Sequence, residues 1–143
     1  MEAASSRSAP KAVAIHGSAA DEGSEPEVPL TVLDVSDQAF ETQAVIDTGF
    51  SGELILPSET ILRLGYPYAG AVGGTLADGS EAQVDYYEGR VLWLGQRREV
   101  IAIAAEGQPL IGMELLLGSR LVVEVTPGGE VVVEKATRGG AGT

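Results

Sequence analysis

An aspartate at the end of an apolar strand, followed two positions later by glycine, is an arrangement that can do acid–base chemistry. The chain holds one such group, Asp47-Thr48-Gly49. Ala44-Val45-Ile46 precede it, and Phe50-Ser51-Gly52 and then Leu54-Ile55-Leu56 follow. Apolar flanks of this kind hold a carboxylate at a sharp turn beside a core. Gly49 adds a position that tolerates positive φ and lets a ligand approach the backbone. A lone carboxylate there is also able to close an Asx-type turn and do nothing more. What separates a turn residue from a catalyst is a second carboxylate facing the first. The tripeptide occurs once in 143 residues, so a catalytic pair needs a second copy of the chain.

The elements that must position Asp47 are legible from Val28 onward. Leu30, Val32, Leu33 and Val35 predict a strand, Ser36-Asp37-Gln38 a turn, and Phe40–Ile46 the partner strand that leads into Asp47. Leu54–Leu56 continues extended and stops at Pro57. A serine N-cap at Ser58, apolar Ile61, Leu62 and Leu64, and a stop at Gly65 predict a short helix. Ala71–Leu76 and Gln83–Tyr87 flank Ala77-Asp78-Gly79-Ser80, a strong hairpin signal. Val91–Leu94 and Val100–Ala104 read as further strands, and Met113–Leu117 as a short helix ended by Gly118. Leu121–Val125 and Val131–Glu134 bracket the turn Thr126-Pro127-Gly128-Gly129, with apolar residues on both faces, which predicts strands covered on both sides. Residues 1–27 are rich in Ala, Ser, Glu, Gly and Pro without a sustained period. They predict a flexible N-terminal tail, in which Lys11–Ile15 alone could add a short strand. Residues 136–143 predict a flexible C-terminal tail. Regularly spaced strands, Gly-rich turns and almost no helix make the fold all-β, a barrel or a sandwich.

Composition narrows the chemistry. The length suits one domain. There is no cysteine, which excludes disulfides, thiolate metal sites and a cysteine nucleophile. The single histidine, His16, rules out a His-rich metal cluster and reads as inert. A net charge of −12 argues against nucleic acid and against an anionic membrane surface as partners. No stretch approaches the roughly 18 apolar residues of a transmembrane helix. The N-terminal residues hold no apolar core of a secretory signal, so the expected location is cytoplasmic.

Blocks that extend from the tripeptide carry a family resemblance. AVIDTGFSGELILP spans Ala44–Pro57, GTLADGSEAQVDYYEGRVLWLG spans Gly74–Gly95, and PLIGMELL spans Pro109–Leu116. In this order and spacing they resemble the retropepsin-like single-domain (clan AA) aspartic proteases. The closest likeness is to small bacterial and archaeal members with Asp-Thr-Gly-Phe, a small or polar residue, then Gly. The resemblance covers roughly residues 28–135. It implies a closed or partly open β-barrel of the retropepsin type with one or two short helices. It also implies a homodimer in which each protomer gives one catalytic Asp47, cleaving a polypeptide substrate without metal or cofactor. Thr48 would hydrogen-bond across the dimer, and Gly49 would complete the active-site loop. Ala77, Asp78 and Gly79 would form the tip of a flap over the substrate, and Ile111-Gly112 would pack behind the loop. Phe50 departs from the Ala or Ser most common after the glycine, so no hydroxyl reaches Asp47 from that position; its expected role is to pack in the core or to narrow a subsite, with core packing preferred. The rival reading is a catalytically silent dimerisation or peptide-binding module on the same fold.

Overall fold

The computed structural model describes residues 13–19, 25–75 and 77–137. In chain order the strands are β1 (Ala14–Ala19), β2 (Pro26–Leu33), β3 (Ala39–Ile46) and β4 (Leu54–Leu56). Helix α1 (Ser58–Leu64) follows, then β5 (Tyr68–Thr75), β6 (Glu81–Trp93), β7 (Gln96–Ala104) and β8 (Leu110–Ile111). Helix α2 (Met113–Leu116), β9 (Ser119–Val123) and β10 (Glu130–Lys135) complete the order. All described strands belong to one sheet, in the order β9-β10-β1-β2-β3-β8-β4-β7-β6-β5. Strand β2 also pairs with β6, through Thr31 opposite Leu92 and Val32 opposite Val91. The hydrogen-bonded path from β2 through β3, β8, β4, β7 and β6 therefore returns to β2.

Strand alternation supplies the core. Val28, Leu30 and Val32 of β2 point inward, as do Leu54 and Leu56 of β4, Val91 and Trp93 of β6, and Val131 and Val133 of β10. Ile61 of α1 and Leu115 of α2 close the gaps between strands. Burial of one such aliphatic side chain contributes about 1.5–3 kcal/mol. Tyr66 brings a polar group into this interior. Its hydroxyl lies 2.7 Å from the Leu33 carbonyl oxygen and 2.8 Å from that of Arg90. Its one hydrogen can serve either acceptor, and the contact pins the base of the β5–β6 hairpin to β2. Burial pushes the Tyr66 hydroxyl pKa up.

Several expectations need correction. Residues 14–19, read from the sequence as tail, form β1, which lies between β10 and β2; Lys11 lies outside the described residues. The strand was hard to see because Gly17 breaks its pattern. A side chain at 17 would collide with the Glu27 backbone, so the close crossing of β1 over β2 requires the glycine that lowers its β propensity. His16 sits on this strand opposite Val132 and is exposed. Helix α1 is capped by Pro57, without a side-chain capping bond, and Ser58 is its first residue. Its expected stop is present, with Gly65 at φ +79°. Residues 83–87 and 91–94 were read as separate strands, yet β6 runs unbroken through Glu88-Gly89-Arg90. Gly89 gives room there to the Tyr66 ring. The β9–β10 hairpin is present, but within the protomer it buries one face only. Val131 and Val133 are inaccessible, whereas Val122 is 37% exposed.

The two-residue strand β8 and the short α2 form a corner beneath residues 47–53. Gly112 donates its N–H to the Glu53 carbonyl at 3.1 Å, and Met113 donates to the Phe50 carbonyl at 2.8 Å. A methyl group on residue 112 would run into the Gly52 carbonyl oxygen and the Phe50 ring. Gly112→Ala should therefore cost about 1–3 kcal/mol in stability, the usual range for overpacking a rigid contact. Gly73→Ala, where nothing lies within 4 Å of the added methyl, should change stability by less than about 1 kcal/mol. Urea unfolding of both variants checks the contrast. Equal midpoints would show that the corner yields easily.

Candidate functional site

Asp47 stands where β3 ends. Strand β3 runs parallel to β8, with Val45 opposite Leu110 and Ile46 opposite Ile111. The Asp47 N–H extends that ladder by donating to the Ile111 carbonyl at 2.9 Å. The chain then turns. The Phe50 N–H donates to the Asp47 carbonyl at 3.1 Å, and the Gly49 N–H donates to Asp47 Oδ1 at 2.9 Å. The Asx turn foreseen as the plain alternative is thus real, and it orients the carboxylate without burying it. Asp47 is half-buried, while Thr48 and Gly49 are exposed. Phe50 is half-buried, with its ring against Gly52 and Gly112. It packs within the loop and lies outside the buried core cluster, so the core-packing expectation is not met. Ile111 is fully buried and Gly112 lies under the loop, as the resemblance implied.

The carboxylate opens onto a concavity of about 640 Å³. Its walls are mainly apolar: Val45 and Ile46 from β3, Leu110 from β8, and Leu121, Val123 and Val125 from the β9 side. Thr48 lies on the same wall. Glu25, exposed ahead of β2, is the other carboxylate in the lining. Val125 is 74% exposed, unusual for a valine beside so many apolar neighbours.

A second depression, about 650 Å³, lies under the β5–β6 hairpin. The hairpin register sets Gly70 opposite Tyr86, Val72 opposite Val84, and Gly74 opposite Ala82. One face of the hairpin therefore carries small and apolar residues, and the other carries Thr75, Glu81, Gln83 and Asp85. Val72, Val84 and Tyr86 face Ile55 of β4 and Ile101 and Ile103 of β7 across this groove. Val72 is 57% exposed, which leaves an apolar underside open. The expected flap residues Ala77, Asp78 and Gly79 are exposed at the hairpin's tip and lie outside the groove's lining; the arms supply the lining instead. Asp78 Oδ1 accepts hydrogen bonds from the Ser80 hydroxyl at 2.6 Å and the Ser80 N–H at 2.9 Å. These bonds, the hydroxyl's first, hold the Asp78 carboxyl below the usual aspartate range.

Among the aromatic residues, Tyr86 lines the groove and Trp93 is buried. Tyr87 packs edge-on to Tyr68, with ring centroids 5.5 Å apart. Val72, Val84, Ile101 and Ile103 were not singled out from the sequence. Their period-2 spacing on paired strands was the signal available. Glu53 was also missed. Among the described residues, no three His, Cys, Asp or Glu side chains gather as a metal site. No described helix is long and apolar enough to cross a membrane.

No protein-family model and no curated protein matches the chain. Among solved structures, it is similar to the crystal structure of a retropepsin-like aspartic protease from Rickettsia conorii. The TM-score is 0.57 at 14% sequence identity, over 88% of this chain and 95% of that one. At that identity the likeness is one of fold: a mostly β chain with short helices, arranged as in a retropepsin-like protease.

Proposed function

We propose that the chain is an aspartic endopeptidase that acts as a homodimer, with one Asp47 from each protomer. The observation that carries this reading is the setting of Asp47. A carboxylate oriented by the Gly49 N–H lies on a mainly apolar concavity. A second copy related by a two-fold axis presents the same patch to the first. It would cover Leu121, Val123 and Val125 and bring the second Asp47 to the axis. The returning strand path of the sheet fits the closed barrel of the retropepsin type.

The chemistry follows from like charges at short range. Two carboxylates about 3 Å apart cannot both ionise, so the pair shares one proton. The ionised member takes a proton from a water molecule, whose oxygen attacks the scissile carbonyl carbon. The protonated member donates to the carbonyl oxygen as charge develops there. Collapse of the tetrahedral intermediate breaks the C–N bond: the leaving amine takes the proton that came from water, and a gem-diol hydroxyl returns its proton to the other carboxylate, which restores the singly protonated pair. The hairpin over the groove acts as a flap, excluding water from an extended polypeptide. The apolar groove favours apolar side chains in the substrate's central positions.

Asp47→Asn should fold normally and lose cleavage of casein by on the order of 10²–10⁴, the usual worth of a general acid–base group. Glu25→Gln should leave cleavage within about twofold of wild type, against that same scale of 10²–10⁴ for a member of the dyad. A loss in Glu25→Gln as deep as in Asp47→Asn would place the second carboxylate within the protomer. Unchanged cleavage by Asp47→Asn would end the catalytic assignment and favour the silent module.

Specific activity should fall on dilution as the dimer dissociates. Each protomer carries −12, so moderate salt, which screens that repulsion, should lower the concentration at which activity is lost. Sedimentation that finds a fully active monomer would refute the shared site.

The rate should depend on pH as a bell whose two apparent constants belong to the pair. With Phe50 offering no hydroxyl, the optimum should lie between mildly acidic and near neutral. Asp78 does not confuse the reading. Its folded pKa lies below the ordinary 3.8, so its charge, and any flap stability tied to it, is present above that value and lost only as pH falls further. Best activity below about pH 3 in an intact dimer would contradict the expected optimum.

A further inference from the structure

Glu53 closes the loop that begins at Asp47, and its side chain is only 14% exposed. Its carboxylate oxygen Oε1 accepts the Ile101 N–H at 2.7 Å. Strand β4 starts one residue later, with Leu54 opposite Ala102 in a parallel ladder. The Glu53 side chain thus supplies the rung just before the backbone ladder begins. Oε2 lies 3.7 Å from an Arg98 guanidinium nitrogen, and another nitrogen of that group donates to the Leu115 carbonyl of α2 at 3.3 Å. The Glu53 carbonyl meanwhile accepts the Gly112 N–H. One residue therefore touches the three parts that must keep register: the Asp47 loop, the α2 corner, and β7, whose Ile101 and Ile103 wall the groove.

We propose that Glu53 is a positioning residue that fixes the height of the Asp47 loop against the groove wall. The inference rests on the reading of Asp47 as catalytic. Glu53 does not touch the reacting atoms. It acts through the Ile101 amide and Arg98, and its effect falls on how the bound peptide bond meets Asp47. Small misplacements of a catalytic group cost rate steeply, about 10²-fold for an ångström. The acceptor oxygen matters more than the charge, because the hydrogen bond to Ile101 is short and the approach to Arg98 is long.

Glu53→Gln and Glu53→Met separate these terms, being of similar length and volume. The amide oxygen of glutamine can still accept the Ile101 N–H; the thioether of methionine accepts poorly. In the full-length protein, Glu53→Gln should keep kcat within about threefold of wild type. Glu53→Met should lower kcat by about 10- to 100-fold while KM moves far less. Wild-type kcat in Glu53→Met, or equal losses in both variants, would overturn the proposal. Amide hydrogen exchange gives a readout that needs no activity. The Ile101 N–H should be protected in the wild type and in Glu53→Gln, and should lose protection together with Gly112 in Glu53→Met. Fast exchange at Ile101 in the wild type would overturn the clamp even if Glu53→Met fails to fold. Absence of cleavage by a wild type with a protected Ile101 would instead count against the protease reading.

Discussion

The Asp47 end of the molecule depends on one insertion. Leu110 and Ile111 are threaded between β3 and β4, parallel to the first and antiparallel to the second. That short strand gives the Asp47 N–H its acceptor and delivers Gly112 under the loop. Strands β3 and β4 are each paired on their other side, with β2 and β7, and these residues bridge the gap between them, so the ladder beneath Asp47 is complete only once the distant 109–112 segment arrives. A contact of that sequence separation is costly in chain entropy. It is repaid because Ile111, Leu54 and Leu115 become wholly inaccessible together. The bare Cα of Gly112 is what lets the insertion seat fully. The loop above it is then fixed by backbone hydrogen bonds, and the carboxylate is aimed by its own bond from the Gly49 N–H.

The β5–β6 hairpin solves a different problem. It must be able to lie over the groove yet stay attached to a rigid base. At its base, Tyr66 binds the Leu33 and Arg90 carbonyls, and Tyr68 packs on Tyr87. A register shift between Tyr68 and Gly70 marks where the rigid part ends. Beyond it, Gly70, Gly73 and Gly74 carry little that could pack, and Val72 and Val84 leave the groove side apolar. The tip is tied locally by Asp78 to Ser80, so its turn is kept whatever the arms do.

How much of this was legible depended on whether a signal was local. The turn chemistry of Asp78-Gly79 and of Pro127-Gly128 named two hairpins correctly, because such dipeptides act within four residues. The Asp47 turn and the helix stop at Gly65 were legible for the same reason. Strand β1 was not, since Gly17 is explained only by the Glu27 backbone passing against it. Glu53 was not, since its partners Ile101 and Arg98 lie far along the chain. The hairpin-tip residues illustrate the same division. The tip Ala77-Asp78-Gly79 was found by its turn signal, but the groove beneath belongs to Val72, Val84, Ile101 and Ile103, whose shared face appears once the register is known. The pattern of Val122, Val123, Val131 and Val133 was read as strands covered on both sides, and the protomer covers one.

That half-covered hairpin and the single aspartate point the same way. A surface valine at position 125 beside Leu121 and Val123 is unfavourable in water, and Asp47 by itself can serve only half of an aspartate pair. On the proposed reading both deficits would be removed by one event, the arrival of a second copy. In this reading, catalysis, assembly and substrate binding are linked equilibria. A peptide held between two protomers binds the dimer and not the monomer, so it draws the dimer together by mass action. Net charge opposes it, since each chain carries −12 and like-charged protomers repel over a Debye length of about 10 Å in ordinary buffers. The balance between an apolar patch that favours contact and an acidic surface that resists it leaves assembly, and with it the completed site, sensitive to concentration, salt and substrate.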